Sequence, residues 1–305
     1  ISGENAVPDK ITIGNGANIS AANISNVTEL TLASGAAVTM SALQSQGFTG
    51  AITAPGSGAG GETITIVGNG AVTAVNDIEN YVIGDDTTNA RTITILGANS
   101  HITANSTTDS INFSVGGVTF TGTLVGDSTV TDSLSLANGA DISGASMSNV
   151  SSLTLASGAA VTLSVAQNEG FIGATTASGS GINGQKVIIQ GDGTITALFD
   201  IETYQLNDDS TNARTITIGP AALNLIADNA NDTITVNAVA LAQNESLTIS
   251  AESSSNLVVN NLVGNVDAFY LTGTLTVTTA NAADDGIDIV TGTSATQINL
   301  AAGVG

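Results

Sequence analysis

Short segments of alternating apolar and polar residues recur along the chain, as "TITI", "LTL", "VII" and "TITV". A period of two with β-branched residues turns one face of a strand inward and the other outward. Asn-Gly, Asp-Gly, Ser-Gly and Gly-Gly steps separate the segments and predict tight turns between short strands. Helical spacing is confined to Ser41–Gln46 and Ser164–Glu169, each expected to form a single turn at most.

The pattern is itself repeated. A shift of 123 residues lays Ile11–Val115 over Leu134–Ala238 without a gap, and about half of the positions agree. "LTLASGAAVT" occurs at Leu30–Thr39 and at Leu153–Thr162, Phe48 falls on Phe171 and Tyr81 on Tyr204. "DDTTNARTITI" from Asp85 returns as "DDSTNARTITI" from Asp208, so the two arginines, Arg91 and Arg214, are copies of one residue. The organisation read from this is a leading segment 1–10, a first unit 11–133, a second unit 134–256 and a partial, diverged third unit 257–305. Within the third, "NVDAFYLTGTLTV" at Asn265–Val277 falls where "NVSSLTLASGAAV" would, and "INLAAGVG" at the end reads as the interior of something longer.

An all-β chain of small related pieces fits two architectures. In a parallel β-solenoid, coils of about 20 residues stack so that Val, Ile, Leu and Ala fill a narrow interior, with roughly six coils per unit. This β-helix is the preferred reading, because aromatic residues are only 3% of the chain. The alternative is a string of tandem antiparallel β-sandwich domains, in which "ITIVGNGAVTA" from Ile64 forms a hairpin around its Asn-Gly.

Charge narrows the function. The chain carries 26 acidic against 4 basic residues, a net charge of −22, which opposes nucleic acid and anionic lipid as partners. Cations are the expected counter-charge. There is no cysteine, so disulfides and thiolate metal sites are excluded. No apolar run approaches the ~18 residues of a membrane span, and membrane insertion is not expected.

The end of the chain, "DDGIDIVTGTSATQINLAAGVG" from Asp284, resembles a degenerate run of the calcium-binding repeats of RTX-type secreted proteins, G-G-x-G-x-D-x-U-x. "GAGGETI" at Gly58–Ile64 and "NANDTITV" at Asn229–Val236 share that character, and the wider texture of "NVTELTL", "DIENYVI" and "DIETYQL" is similar to bacterial S-layer proteins and giant surface adhesins. The resemblance implies a secreted, extracellular protein of a bacterial cell surface, a structural rather than catalytic role, and Ca²⁺ as the ion. Where the RTX repeat places a ligand aspartate this chain has Glu62, Gln185, Thr296 and Gln297, so an ordinary calcium ladder is not expected.

Isolated calcium sites remain, because Ca²⁺ takes six to eight oxygens and paired aspartates with backbone carbonyls can supply them. The candidate ligands are Asp85, Asp86, Asp208, Asp209, Asp284, Asp285 and Asp288. Asp77, Glu79 and Asp109 also recur, as Asp200, Glu202 and Asp232. The competing reading makes Asp85–Asp86 a solvated turn with Arg91 in an exposed local ion pair, worth at most about 1 kcal/mol.

His101 is the single histidine, is matched by Asn224 and reads as an exposed loop residue, so no nucleophilic triad can be built without it. Catalysis by two carboxylates needs a cleft with aromatic or basic groups that this composition hardly offers. The "TIT" segments raise the idea of an ice-binding threonine array, but their spacing is not expected to keep one face over successive coils. The recurring Phe48, Phe171, Tyr81 and Tyr204 are expected to pack at corners; together with Tyr270 they would otherwise form a sugar-binding platform. The sequence thus predicts a self-associating homo-oligomer, lattice or filament, with cell-surface polysaccharide as a further partner, or else the stalk or ligand-binding region of an adhesin. A polysaccharide-cleaving β-helix stands last.

Overall fold

Alternation becomes an inside and an outside. In the strand Thr63–Val67, Ile64 and Ile66 are fully buried while the threonines and Val67 are half-exposed, and strand after strand repeats this. The computed structural model describes residues 1–4, 8–54, 61–75, 77–84, 90–97, 99–173, 175–177, 184–207, 213–227, 233–249, 255–280 and 286–301. Its strands pair in parallel and stack as a β-solenoid of about twelve turns. The chain divides into two compact units, Ile1–Thr154 and Leu155–Gly305.

In the first unit one face stacks Ala37–Ser41, Thr63–Val67, Asn80–Gly84, His101–Asn105, Thr123–Val125 and Ser146–Ser148. A second stacks Val72–Ala74, Arg91–Ile95, Ile111–Val115 and Asp132–Leu136, and a smaller sheet holds Asp9–Ile13, Val27–Leu32 and Ala51–Thr53. The second unit has two main faces. One runs from Ala160–Ser164 through Lys186–Gln190, Thr203–Leu206, Leu223–Ala227, Ser246–Ile249 and Asn265–Ala268 to Ile289–Thr291; the other runs from Thr194–Thr196 through Arg214–Thr217, Thr233–Asn237, Asn256–Leu262 and Leu275–Thr279 to Thr296–Asn299.

Register turns the faces into columns. Val38, Ile64, Tyr81, Ile102 and Leu124 lie one above the next, as do Val72, Ile93, Phe113 and Leu134. In the second unit the columns are Val161, Val187, Tyr204, Leu225 and Ile195, Ile216, Val236, Val259. Each fully buried Ile, Leu or Val contributes ~1.5–3 kcal/mol by leaving water. Turns are unequal: Val38 to Ile64 is a long circuit, Ile64 to Tyr81 a short one.

The hairpin expected at Asn69-Gly70 is not formed. Thr63–Val67 and Val72–Ala74 belong to different sheets, and Gly70, at φ +139°, turns the chain round a corner instead of reversing it. The helical pieces exceed a single turn. Ala42–Gly47 (α1) and Val165–Gly170 (α2) have six residues each and open on complete capping boxes, Ser41 with Gln44 and Ser164 with Gln167. Threonines do share an outward column, contrary to the spacing argument: Thr194, Thr215 and Thr235 stack on successive turns before Val258 ends the row.

Corners are held by asparagine. Asn26 and Asn149, a matched pair, and Asn261 adopt left-handed φ of 57°, 56° and 55°. Asparagine tolerates that region, and its side chain can hydrogen-bond nearby backbone. Asn26 donates to the Gly3 carbonyl at 3.3 Å and Asn149 to that of Gly126 at 3.1 Å. Only glycine fits opposite, because a Cβ on Gly126 would stand 2.2 Å from the Asn149 carbonyl oxygen.

Candidate functional site

The arginine phrase is interior. Arg91 begins a strand with its side chain directed inward, and Arg214 is the largest fully buried side chain of the chain's described residues. Arg91 pairs with Asp109 at 3.2 Å, both side chains almost wholly inaccessible, and donates to the carbonyls of Gly68 and Gly84. An exposed pair is overturned, because Arg91 is buried and pairs with Asp109 of the next turn; Asp85 and Asp86 lie outside the described residues. Arg214 donates to the Asn207 carbonyl, the position matching Gly84, and Asp232, which matches Asp109, lies outside the described residues.

Other acids serve as acceptors for backbone N–H groups at the corners. Asp132, fully buried, accepts from Ile111 at 2.6 Å and Asp127 at 2.7 Å; burial pushes its carboxyl upward while these bonds pull it back. The matched Asp9 accepts from Glu4, the counterpart of Asp127. Asp141 holds Ser143, and Glu169 accepts from the Thr196 amide at 2.6 Å and its hydroxyl at 3.2 Å. Exposed Asp127 is held below the usual carboxylate range by the Thr129 hydroxyl and amide.

One corner brings two carboxylates together. Glu62 is fully buried, and its Oε1 accepts the Gly35 amide at 2.9 Å. The Glu62 amide donates in turn to Glu79 Oε2 at 3.1 Å, and the two carboxyl groups lie within hydrogen-bonding reach. Glu62 Oε2 is buried without a donor among the described residues. The Glu79 carboxyl is pushed up by burial and by Glu62, whereas that of Glu62 is pulled down by the Glu79 side chain and by the Gly35 amide. In the second unit the corner is rebuilt with a neutral residue: the Gln185 amide donates to Glu202 Oε2 at 2.8 Å.

Of the seven candidate calcium ligands, Asp288 is exposed, its amide bonded to Asn265 Oδ1 at 2.9 Å and its carbonyl to Val266. Asp85, Asp86, Asp208, Asp209, Asp284 and Asp285 lie outside the described residues. Among the described residues no three of His, Asp and Glu gather as a metal group, and no helix is long and apolar enough to cross a membrane.

His101 is exposed, as expected, but it opens the strand His101–Asn105 and is not in a loop. Phe48 and Phe171 are buried at the C-terminal ends of α1 and α2, whereas Tyr81 and Tyr204 are buried within strands, in the inward columns, and not at corners as expected; the Tyr81 hydroxyl accepts from Val75, and the Tyr204 hydroxyl accepts from Leu198 and donates to Asn168 Oδ1. Burial raises both phenols above the ordinary tyrosine range. Tyr270 differs, standing exposed against Phe269 in an edge-to-face pair with centroids 5.0 Å apart.

The second unit also has a groove of about 360 Å³, lined by Ile172, Leu198, Phe199, Pro220 and Leu223 with Asp200 and Glu202 on its margin. Ile172 and Phe199 are about half or more exposed. In the first unit the matching sequence positions are Thr49, Val75, Asn76, Gly97 and Ser100, so the apolar character belongs to one copy. Sequence reasoning missed this groove and the Glu62–Glu79 corner; the differences between matched positions carried the signal for both. No protein-family model, curated protein or solved structure matches the chain.

Proposed function

We propose that this chain is a structural segment of a bacterial extracellular surface assembly, self-associating and stabilised by Ca²⁺ bound at its acidic loops. The observation that supports this is the use of a duplicated sequence to extend parallel ladders. Backbone groups are satisfied from turn to turn, so copies lengthen the body with little new design. Acids such as Asp132, Glu62 and Glu169 hold corners, while Asp85–Asp86, Asp208–Asp209 and Asp284–Asp285 with Asp288 are the positions at which calcium would offset the net charge of −22. A site with Kd of about 10 μM and 1 mM free calcium stabilises the fold by ~2.7 kcal/mol. The test is thermal melting with 1 mM calcium and with chelator: a calcium-dependent rise supports the ion's role, and identical curves remove it.

A second reading, a polysaccharide-binding region of an adhesin, is favoured by the groove. An exposed aromatic ring beside carboxylates suits a sugar, whose C–H face packs on the ring while its hydroxyls donate to oxygen. Binding of acidic and neutral cell-surface glycans to the full chain, compared with the Phe199→Asn variant, tests it; equal binding by both proteins contradicts the groove as the site.

A further inference from the structure

The two units differ at one buried corner by a single atom type. Glu62 in the first stands where Gln185 stands in the second, over glutamates, Glu79 and Glu202, that accept the same backbone donor. An amide presents one acceptor and a permanent donor, and its pair with a glutamate carries one negative charge. A pair of glutamates matches that charge only if it retains one proton. We infer that Glu62 and Glu79 share a single proton, held between Glu62 Oε2 and the Glu79 carboxyl group, which makes this corner of the first unit a pH-sensitive clasp, while its counterpart in the second unit carries the uncharged Gln185.

Geometry supports this. Glu62 Oε1 is occupied by Gly35, Glu79 Oε2 by the Glu62 amide, and the remaining buried Oε2 of Glu62 lacks a donor unless a proton supplies one. A buried acceptor left bare costs about 1–3 kcal/mol. No cation competes. The segment 33–36 on one side contributes no titratable side chain, the segment 77–80 contributes exposed Asp77 besides Glu79, and the next turn contributes exposed His101, with no lysine or arginine on any of them. The corner in the second unit has Lys186 beside it, bonded to Gln205.

The opposed displacements of Glu62 downward and Glu79 upward describe one pair that loses its protons in two steps on either side of the ordinary value of 4.5. Below 4.5 the unfolded chain binds more protons than the folded pair, so stability rises with pH; above 4.5 the folded pair holds the extra proton, so stability falls as pH passes the upper step. The clasp is strongest between the steps and loosens when both carboxylates are charged.

The test is a ¹³C titration of glutamate carboxyl carbons in the full chain, with Glu62→Gln and Glu79→Gln for assignment. The wild-type pair should titrate in two steps more than ~1 pH unit apart. Glu202 should show one step, and Glu62→Gln should leave Glu79 with one step. Single independent steps for Glu62 and Glu79 in the wild type would overturn the shared proton, as would a Glu79 curve unchanged by Glu62→Gln; if a variant does not fold, the wild-type curves decide alone.

Discussion

The two units are variations on one design, and at two places the first carries a charged or polar group where the second carries a neutral or apolar one. Glu62 over Glu79 becomes Gln185 over Glu202, and Thr49, Asn76 and Ser100 become Ile172, Phe199 and Leu223. Yet Ala37–Ser41, α1 and Thr63–Val67 return with the same bounds, although with changed residues, as Ala160–Ser164, α2 and Lys186–Gln190. Inward columns fix the fold, and corners are free to vary once each backbone donor has an acceptor. Function in such a body is therefore to be sought at corners.

The comparison breaks most readily at the buried ion pair. Asp109→Ala leaves Arg91 charged and uncompensated, which costs about 3–5 kcal/mol. Denaturant melts followed by hydrogen exchange should show the loss at Arg91–Ile95 and Ile111–Val115, with Arg214–Thr217 keeping its protection. Gly126→Ala forces a Cβ against the Asn149 carbonyl and should cost about 1–3 kcal/mol, measured in the same way. Gly14→Ala, where nothing lies within 4 Å, is its control.

Tyrosine sharpens the contrast further. Tyr204→Phe removes a hydroxyl with two partners and Tyr81→Phe one with a single backbone donor, so about 1–3 kcal/mol is expected for the first and the lower end of that range for the second. The groove gives the smallest effect: Phe199→Asn, which restores the residue of the first unit, should change stability by less than about 0.5 kcal/mol, since the ring is exposed. A larger loss would make Phe199 a packing residue and remove it from any binding surface.

Much of this was legible from the sequence. Alternation gave the strands, the duplicated phrases gave the matched elements, and recurrence of Tyr81 as Tyr204 marked both as packing residues, though they pack inside strands and not at corners. What was hidden follows from the solenoid itself. A side chain's neighbours are about one turn away in sequence, so Arg91 finds Asp109 on the next turn. Glu62 meets Glu79 for the same reason. Asn69-Gly70 misled because an Asn-Gly step serves a corner between two faces as readily as a reversal within one. Tyr270 belongs to the diverged third repeat, where no matched partner indicated that it faces outward.

The proposal of a calcium-stabilised, self-associating scaffold is tested most directly by negative-stain imaging of the full chain in 1 mM calcium and in chelator. The account predicts ordered sheets or filaments with calcium and dispersed particles without it. Single particles under both conditions would contradict it.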